Sequence, residues 1–338
     1  MIRTLIWSAG RVEQTEGPVP ARPDSGWIWV DLQGEDPPTI RRVCSELGVD
    51  DDLIDEALAN DTLPMLHERR DLAYLMLKML DIADEGVLSP TEVDVFLSAS
   101  YLITIHERGL RAAATIRRRT SEGVALPATS PAGLLAHMAM VGSRNYPTLI
   151  ESLEEQIEEL EAQAVQAEAR AIGSAQALRR DVVMMRRTLV PQRVIYEELA
   201  EGGLSAVDGP ARMAFDRVAT YQGQTLESLE VVRSMLGWAL ETHRSAAADK
   251  TNEIIRVLTV FSAILLPLTL ITGIFGMNFL SLPLVREDNG FWVLIGAMAV
   301  GAIGSWAYFY RRGFAGGPLL SELPKAVGIL VRREDRAP

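Results

Sequence analysis

After Arg256 the chain carries no charged residue until Arg286, and after Asp288 none until Arg311. A bilayer crossing needs about 20 predominantly apolar residues in one helix. Two adjacent uncharged runs of that length are rare in soluble folds, so they restrict this chain more than any other feature. The first run contains VLTVFSAILLPLTLITGIFGMNF, with a span over Val257–Phe275 and a continuation to Phe279. The second, NGFWVLIGAMAVGAIGSWAYFY, provides a span over 290–310. Its Trp292, Trp306, Tyr308 and Tyr310 lie near the two ends, where interfacial aromatics collect. Overall composition hides this, because 48% hydrophobic residues is close to a globular average.

Lys250 and Arg256 precede the first run, and Arg311 and Arg312 follow the second. The link 280–289 sets one arginine against Glu287 and Asp288. The excess of basic residues on the outer flanks predicts that both termini are cytoplasmic, in a plasma or inner membrane, with 280–289 as an external loop. The N-terminal MIRTLIWSAGRVEQ has too short an apolar run for a signal peptide. Cys44 is the one cysteine, which excludes an intrachain disulfide and points to a packing role. A formal charge of −12 argues against nucleic acid as a partner and is compatible with meeting cations.

Residues 1–125 read as an α/β domain. Strands are predicted at Thr4–Ser8, Trp27–Leu32, Leu72–Leu80, Val93–Leu97 and Tyr101–Ile105, where β-branched and aromatic residues cluster. Helices are predicted at Ile40–Leu47, at Leu53–Leu58 behind the capping cluster Asp50–Asp52, and from about Leu110. A Gly, Ser and Pro-containing boundary follows at Ser121–Pro131. Residues 131–209 read as a helical pair packing on a stalk, with helix over Pro131–Glu168 and Ala175–Leu199, a candidate kink at Pro191 and a turn at Gly202–Gly209. Pro210 then suits a first helical turn. A helix from there to Phe275 would reach about 100 Å, so 210–256 is expected to be a stalk continuous with the first span. A helix of that length implies an oligomeric bundle. The basic run Arg117–Arg119 and the acidic run Glu151–Glu161 are expected to be solvated helix faces. The fold class is thus an α+β membrane protein: α/β domain, long helical stalk, two C-terminal spans and a tail, 313–338.

The first span holds no ionisable residue, which disfavours a buried proton relay. Asn252, Ile255, Leu258, Ser262, Leu266, Thr269, Gly273 and Gly276 succeed one another at steps of three or four and share one helix face. Such a stripe suits a pore wall, with Leu258 and Leu266 as hydrophobic constrictions, and equally suits plain helix–helix packing. Gly276-Met277-Asn278 falls at the outer end of the span. Its neutral oxygens suit a divalent ion that keeps its water, as Mg²⁺ tends to do, and its spacing also suits a helix C-terminal cap. His67, His106, His137 and His243 show no ligand spacing, and no nucleophile or GxxxxGK[ST] motif occurs. An enzyme with a bound cofactor is therefore not expected.

The stretch Thr251–Phe279, TNEIIRVLTVFSAILLPLTLITGIFGMNF, resembles the CorA family of divalent-cation transport proteins, whose signature is Gly-Met-Asn at the end of the first of two C-terminal spans. SLEVVRSMLGWALETHRSAAADKTNE resembles that family's stalk, LRRDVVMMRRTLVPQR the helices beside it, and EVDVFLSASYLITIHE the end of its α/β domain. The resemblance implies a homopentamer, a pore lined by the first span, and lipid around the second. It places Gly276, Met277 and Asn278 in a selectivity ring and Asn252, Ile255, Leu258, Leu266 and Thr269 along the pore. It places Glu241 at an inhibitory divalent-metal site, with Asp81, Asp84 and Asp94 as candidate partners. The loop FLSLPLVREDNGFW departs from the family's magnesium branch and looks more like the zinc-transporting ZntB branch. The resemblance thus implies transport of Mg²⁺, with Co²⁺ or Ni²⁺, or else of Zn²⁺ moved with protons, where Glu287, Asp288 or His243 would titrate. A non-conducting membrane scaffold is the remaining alternative. The tail's PLLSELPKAVGILVRR suits an amphipathic helix on the inner membrane face.

Overall fold

The structure, a computed structural model, describes residues 1–277 and 289–313, apart from 9, 24, 60–62, 70, 83–87, 127, 167 and 169. Seven strands form one sheet: β1 (Ile2–Ser8), β2 (Arg11–Glu16), β3 (Trp27–Gln33), β4 (Met65–Arg69), β5 (Leu72–Ile82), β6 (Leu88–Ser98) and β7 (Tyr101–His106). Their order is β2-β1-β3-β7-β6-β5-β4. β3 and β7 run parallel, from Ile28 opposite Tyr101 to Gln33 opposite His106, and the other neighbours are antiparallel.

The central strands are apolar throughout because both faces of the sheet are covered. In β3, Ile28, Val30 and Leu32 enter one core beneath α1 (Pro37–Glu46) and α2 (Asp51–Ala57). Trp27 and Trp29 enter the other, shared with α3 (Arg111–Ser121) and α4 (Pro131–Ser143). All five expected strands form. β2 and β4 were not anticipated, and they are the two edges of the sheet. With only Val12, Met65 and Leu66 half-buried and the rest exposed, they bury too little to write an apolar alternation. Asp50 occupies the α2 N-cap position without a side-chain cap bond; Asp51 and Asp52 instead sit in the first turn, where the helix dipole favours them.

The expected helix over Pro131–Glu168 is broken at Arg144–Asn145 into α4 and α5 (Tyr146–Val165). Ser130 Oγ caps α4 by accepting from the Gly133 amide at 3.1 Å. Leu134, Leu135, Met138 and Ala139 join the sheet core, so α4 belongs to the α/β layer and not to the helical pair. α5, α6 (Arg170–Glu201, with Pro191 inside it) and α7 (Gly209–Phe275), through its residues 229–239, share a separate core. There Leu153, Ile157 and Leu160 meet Leu178, Val182, Met185, Val232 and Leu236. The glutamates of α5 lie outside that stripe. α7 is one helix of 67 residues, and α8 (Gly290–Arg311) follows. The chain divides into two compact units, 1–162 with 169–240, and 163–168 with 241–338.

A charged cluster is buried in the sheet. Asp31 on β3, 1% exposed, accepts from Thr104 Oγ1 at 2.6 Å, from His106 Nε2 at 2.8 Å and from Arg117 of α3. Thr104 in turn accepts from Trp29 Nε1 at 3.0 Å, and the Arg117 guanidinium lies 5.5 Å from the Trp29 ring centre. His106 Nδ1 faces the Arg108 carbonyl at 2.6 Å, so both ring nitrogens meet acceptor oxygens. Burial alone would raise the Asp31 carboxyl, but the bond and charge of His106, then Arg117 and Thr104, outweigh it and hold it below its ordinary 3.8.

Cys44 is fully buried in α1, and burial pushes its thiol up to about 12. Thiol labelling at pH 8 should therefore run about a hundredfold or more slower on native protein than after denaturation. Comparable rates would show that α1 opens readily.

Candidate functional site

The membrane portion of α7 has two unlike faces. Val257, Val260, Ile264, Leu268, Ile271 and Phe275 are half-buried or buried at helical spacing. On α8, Leu294, Met298, Ala302, Ser305 and Phe309 form a corresponding half-buried seam within the same unit. Asn252, Ile255, Leu258, Ser262, Leu266, Thr269, Gly273 and Gly276 are all exposed in the single chain, Leu258 at 65% and Leu266 at 71%. At 3.6 residues per turn this stripe lies on roughly the opposite face from the shielded seam. The stripe is therefore not what the chain uses for packing within itself.

Its polar atoms carry a directional chemistry. Thr269 Oγ1 donates to the Leu265 carbonyl at 2.8 Å, and Thr259 Oγ1 donates to Ile255 at 2.8 Å. A hydroxyl whose hydrogen is committed to its own backbone presents only lone pairs outward. On Thr269 that makes the exposed stripe an acceptor surface, which suits a cation or its water shell. The region is otherwise uncharged, and Pro267, with no N–H, leaves the Ala263 carbonyl without its helical donor.

The helix ends through Gly276 N, which donates to the Thr272 carbonyl at 2.8 Å, and Met277 N, which donates to Ile274 at 3.3 Å. Gly276 does not have a positive φ. Its constraint is close approach: a Cβ would stand 3.1 Å from the Thr272 carbonyl oxygen, so the helix end would have to give by a few tenths of an ångström to admit one. Asn278, Glu287 and Asp288 lie outside the described residues.

Glu241 is an exposed residue of α7 whose nearest cation is Arg244, 3.6 Å away and also exposed, a pair of little energetic weight. Of its candidate partners, Asp94 is buried and accepts from the Tyr74 hydroxyl at 2.8 Å. Asp84 and the side chain of Asp81 lie outside the described residues. The histidines are not brought together: His67 pairs with Glu56 at 2.7 Å, His106 with Asp31, and His243 Nε2 faces the Glu168 carbonyl at 3.1 Å, while His137 is half-buried, which lowers its pKa. Among the described residues no group of three or more His, Cys, Asp and Glu is placed to hold a metal. Arg117, read from sequence as one of a solvated run, is instead the half-buried counter-ion of the buried Asp31. Only the apolar spacing of α3 hinted that one arginine of the run Arg117–Arg119 faces inward.

The family model for CorA-like Mg²⁺ transporter proteins matches residues 24–311. The chain belongs to the CorA family. CorA proteins are membrane transporters and not enzymes, so this chain's function is divalent-cation transport. The cobalt/magnesium transport protein CorA of Thermotoga maritima is 24% identical over 309 residues, covering 89% of this chain and 87% of its own. A zinc transport protein ZntB of Yersinia enterocolitica is 26% identical over 142 residues, 42% of this chain and 43% of its own. The solved CorA magnesium transporter of Methanocaldococcus jannaschii shares the fold, with a TM-score of 0.82 at 21% identity over 93% of this chain and 98% of that one. Among the described residues of this CorA chain, the two helices long and apolar enough to span a bilayer are α7 and α8.

Proposed function

We propose that the chain assembles as a homopentamer and conducts hydrated Mg²⁺, with Co²⁺ or Ni²⁺ as further cargo, inward across the plasma or inner membrane with both termini cytoplasmic. The observation that carries this reading is the uncharged, acceptor-bearing stripe of α7, exposed opposite the shielded seam. Around a five-fold axis that stripe lines the path, Leu258 and Leu266 form dewetting constrictions, and Gly276, Met277 and Asn278 form the outer ring. A ring of neutral oxygens holds the ion's water shell and spares Mg²⁺ its costly dehydration. The membrane potential drives entry, at about 2.3 kcal/mol per charge per 100 mV and so roughly twice that for a divalent ion. Metal bound at Glu241 between subunits stabilises the closed state and stops uptake in a replete cell.

The second reading is proton-coupled Zn²⁺ transport, favoured by the ZntB similarity and by the loop around Glu287 and Asp288. Liposomes loaded with Mg²⁺, Zn²⁺ or pH dyes separate the two. Under the channel reading, Mg²⁺ enters down its gradient whether or not a pH gradient is imposed. Zn²⁺ entry that requires proton movement would give the carrier reading instead. An intact oligomer that passes no divalent ion would leave the scaffold.

A further inference from the structure

We propose that the last two turns of α8 bind one anionic phospholipid, held by its phosphate and by one acyl chain. Gly304, Ala307, Tyr308, Arg311 and Arg312 line a recess of about 420 Å³ on one face of this helix. Its floor is made of small residues, and a Cβ built on Gly304 would meet no atom within 4 Å. The residues around its apolar half stand far out, Val300 at 72% exposed and Ile303 at 68%. The other half is cationic: the Arg312 guanidinium lies 5.6 Å from the Tyr308 ring centre. Among the described residues neither Arg311 nor Arg312 has a carboxylate partner.

The occupant follows from this polarity. The recess begins inside the span among apolar side chains and ends about two turns later at two guanidinium groups that have no carboxylate partner among the described residues. An inorganic anion would use only the second half, and a neutral lipid only the first. An anionic phospholipid uses both, with its phosphate oxygens accepting from the two planar forks and a chain lying over Gly304 and Ala307. The helix C-terminus opposes an anion with a partial charge of about −0.5, which two full positive charges exceed. The site rests on α8 crossing the bilayer and not on the pore reading, so a failed flux assay leaves it standing.

Native mass spectrometry of the full-length protein, purified in detergent and titrated with dioleoyl phosphatidylglycerol or dioleoyl phosphatidylcholine, tests it. Wild type should retain phosphatidylglycerol with about tenfold preference or more. Arg311→Gln with Arg312→Gln should bring the ratio close to one. The double lysine variant, which keeps the charge and loses the forked geometry, should retain part of the preference and so guards against a misfolded glutamine variant. Gly304→Leu should weaken both lipids while leaving their ratio intact. A wild-type ratio near one, or a preference that survives the glutamine pair, would overturn the proposal. So would displacement of the bound lipid by inorganic phosphate, which would reduce the site to a bare anion contact.

Discussion

Liposomes carrying Asn278→Ala protein are expected to take up Mg²⁺ no faster than protein-free liposomes. In a five-fold ring the substitution removes five amide oxygens at once. If each contributes about 1 kcal/mol to holding the hydrated ion, the combined loss is on the order of a thousandfold or more in flux. Gly276→Ala provides an independent arm, because its Cβ would stand 3.1 Å from the Thr272 carbonyl oxygen and the helix end would have to shift to relieve it. Both variants should run as wild type on size exclusion, since Gly276 is exposed and the cores of the α/β domain lie elsewhere. Dye-monitored uptake normalised to reconstituted protein measures the effect. Undiminished Mg²⁺ flux through Asn278→Ala would move the selective element away from the signature.

Asp31→Ala should be the most destabilising single change in the α/β domain. It leaves His106 and Arg117 facing a buried gap without their carboxylate, and removing one partner of a buried charge cluster costs about 3–5 kcal/mol. Thermal unfolding followed by far-ultraviolet circular dichroism should shift down by on the order of 10 °C. The pH dependence has a definite sign. The folded pKa of Asp31 lies below 3.8, so its contribution is fully present above that value and is lost as pH falls through the folded pKa. Wild type and variant should therefore differ at pH 5 and pH 7 and converge in stronger acid. Replacing Asp31, His106 and Arg117 together by apolar residues should recover much of the loss, because no charge is then stranded. Equal melting of wild type and Asp31→Ala at neutral pH would mean that water reaches the cluster.

Sequence legibility followed burial. The interior strands announced themselves because covering on both faces makes them continuously apolar, as in the WIWV of β3. The edge strands β2 and β4, RVEQTE and MLHER, have no such constraint and read as loop. The allegiance of α4 was hidden for a related reason: its apolar residues fit a helical pair as well as a sheet layer, and only tertiary contact decides between them. The α7 stripe was visible as a period, but a period cannot say whether a face is shielded. That came from finding Val260 buried on one side of the helix and Leu266 exposed on the other. The Asp31 cluster spans β3, β7 and α3, and residues that far apart in the chain carry no local pattern at all.

The parallel pairing of β3 with β7 sets a timetable for biosynthesis. β3 can pair with β1 as soon as it leaves the ribosome, but its other edge waits until His106 has been made. At ordinary elongation rates that wait is on the order of ten seconds. Beyond it, the core on the Trp29 face still lacks Tyr196, Leu199, Phe215 and Val218, which come from the end of α6 and the start of α7. The nascent domain thus holds an open strand edge and then an uncovered apolar face. The last residues that cover that face are translated only shortly before Val257 begins the first span. Closure of the sheet domain and delivery of the chain to the membrane are consequently near-simultaneous events, and a chaperone that shields the half-built sheet would have to release it as insertion begins.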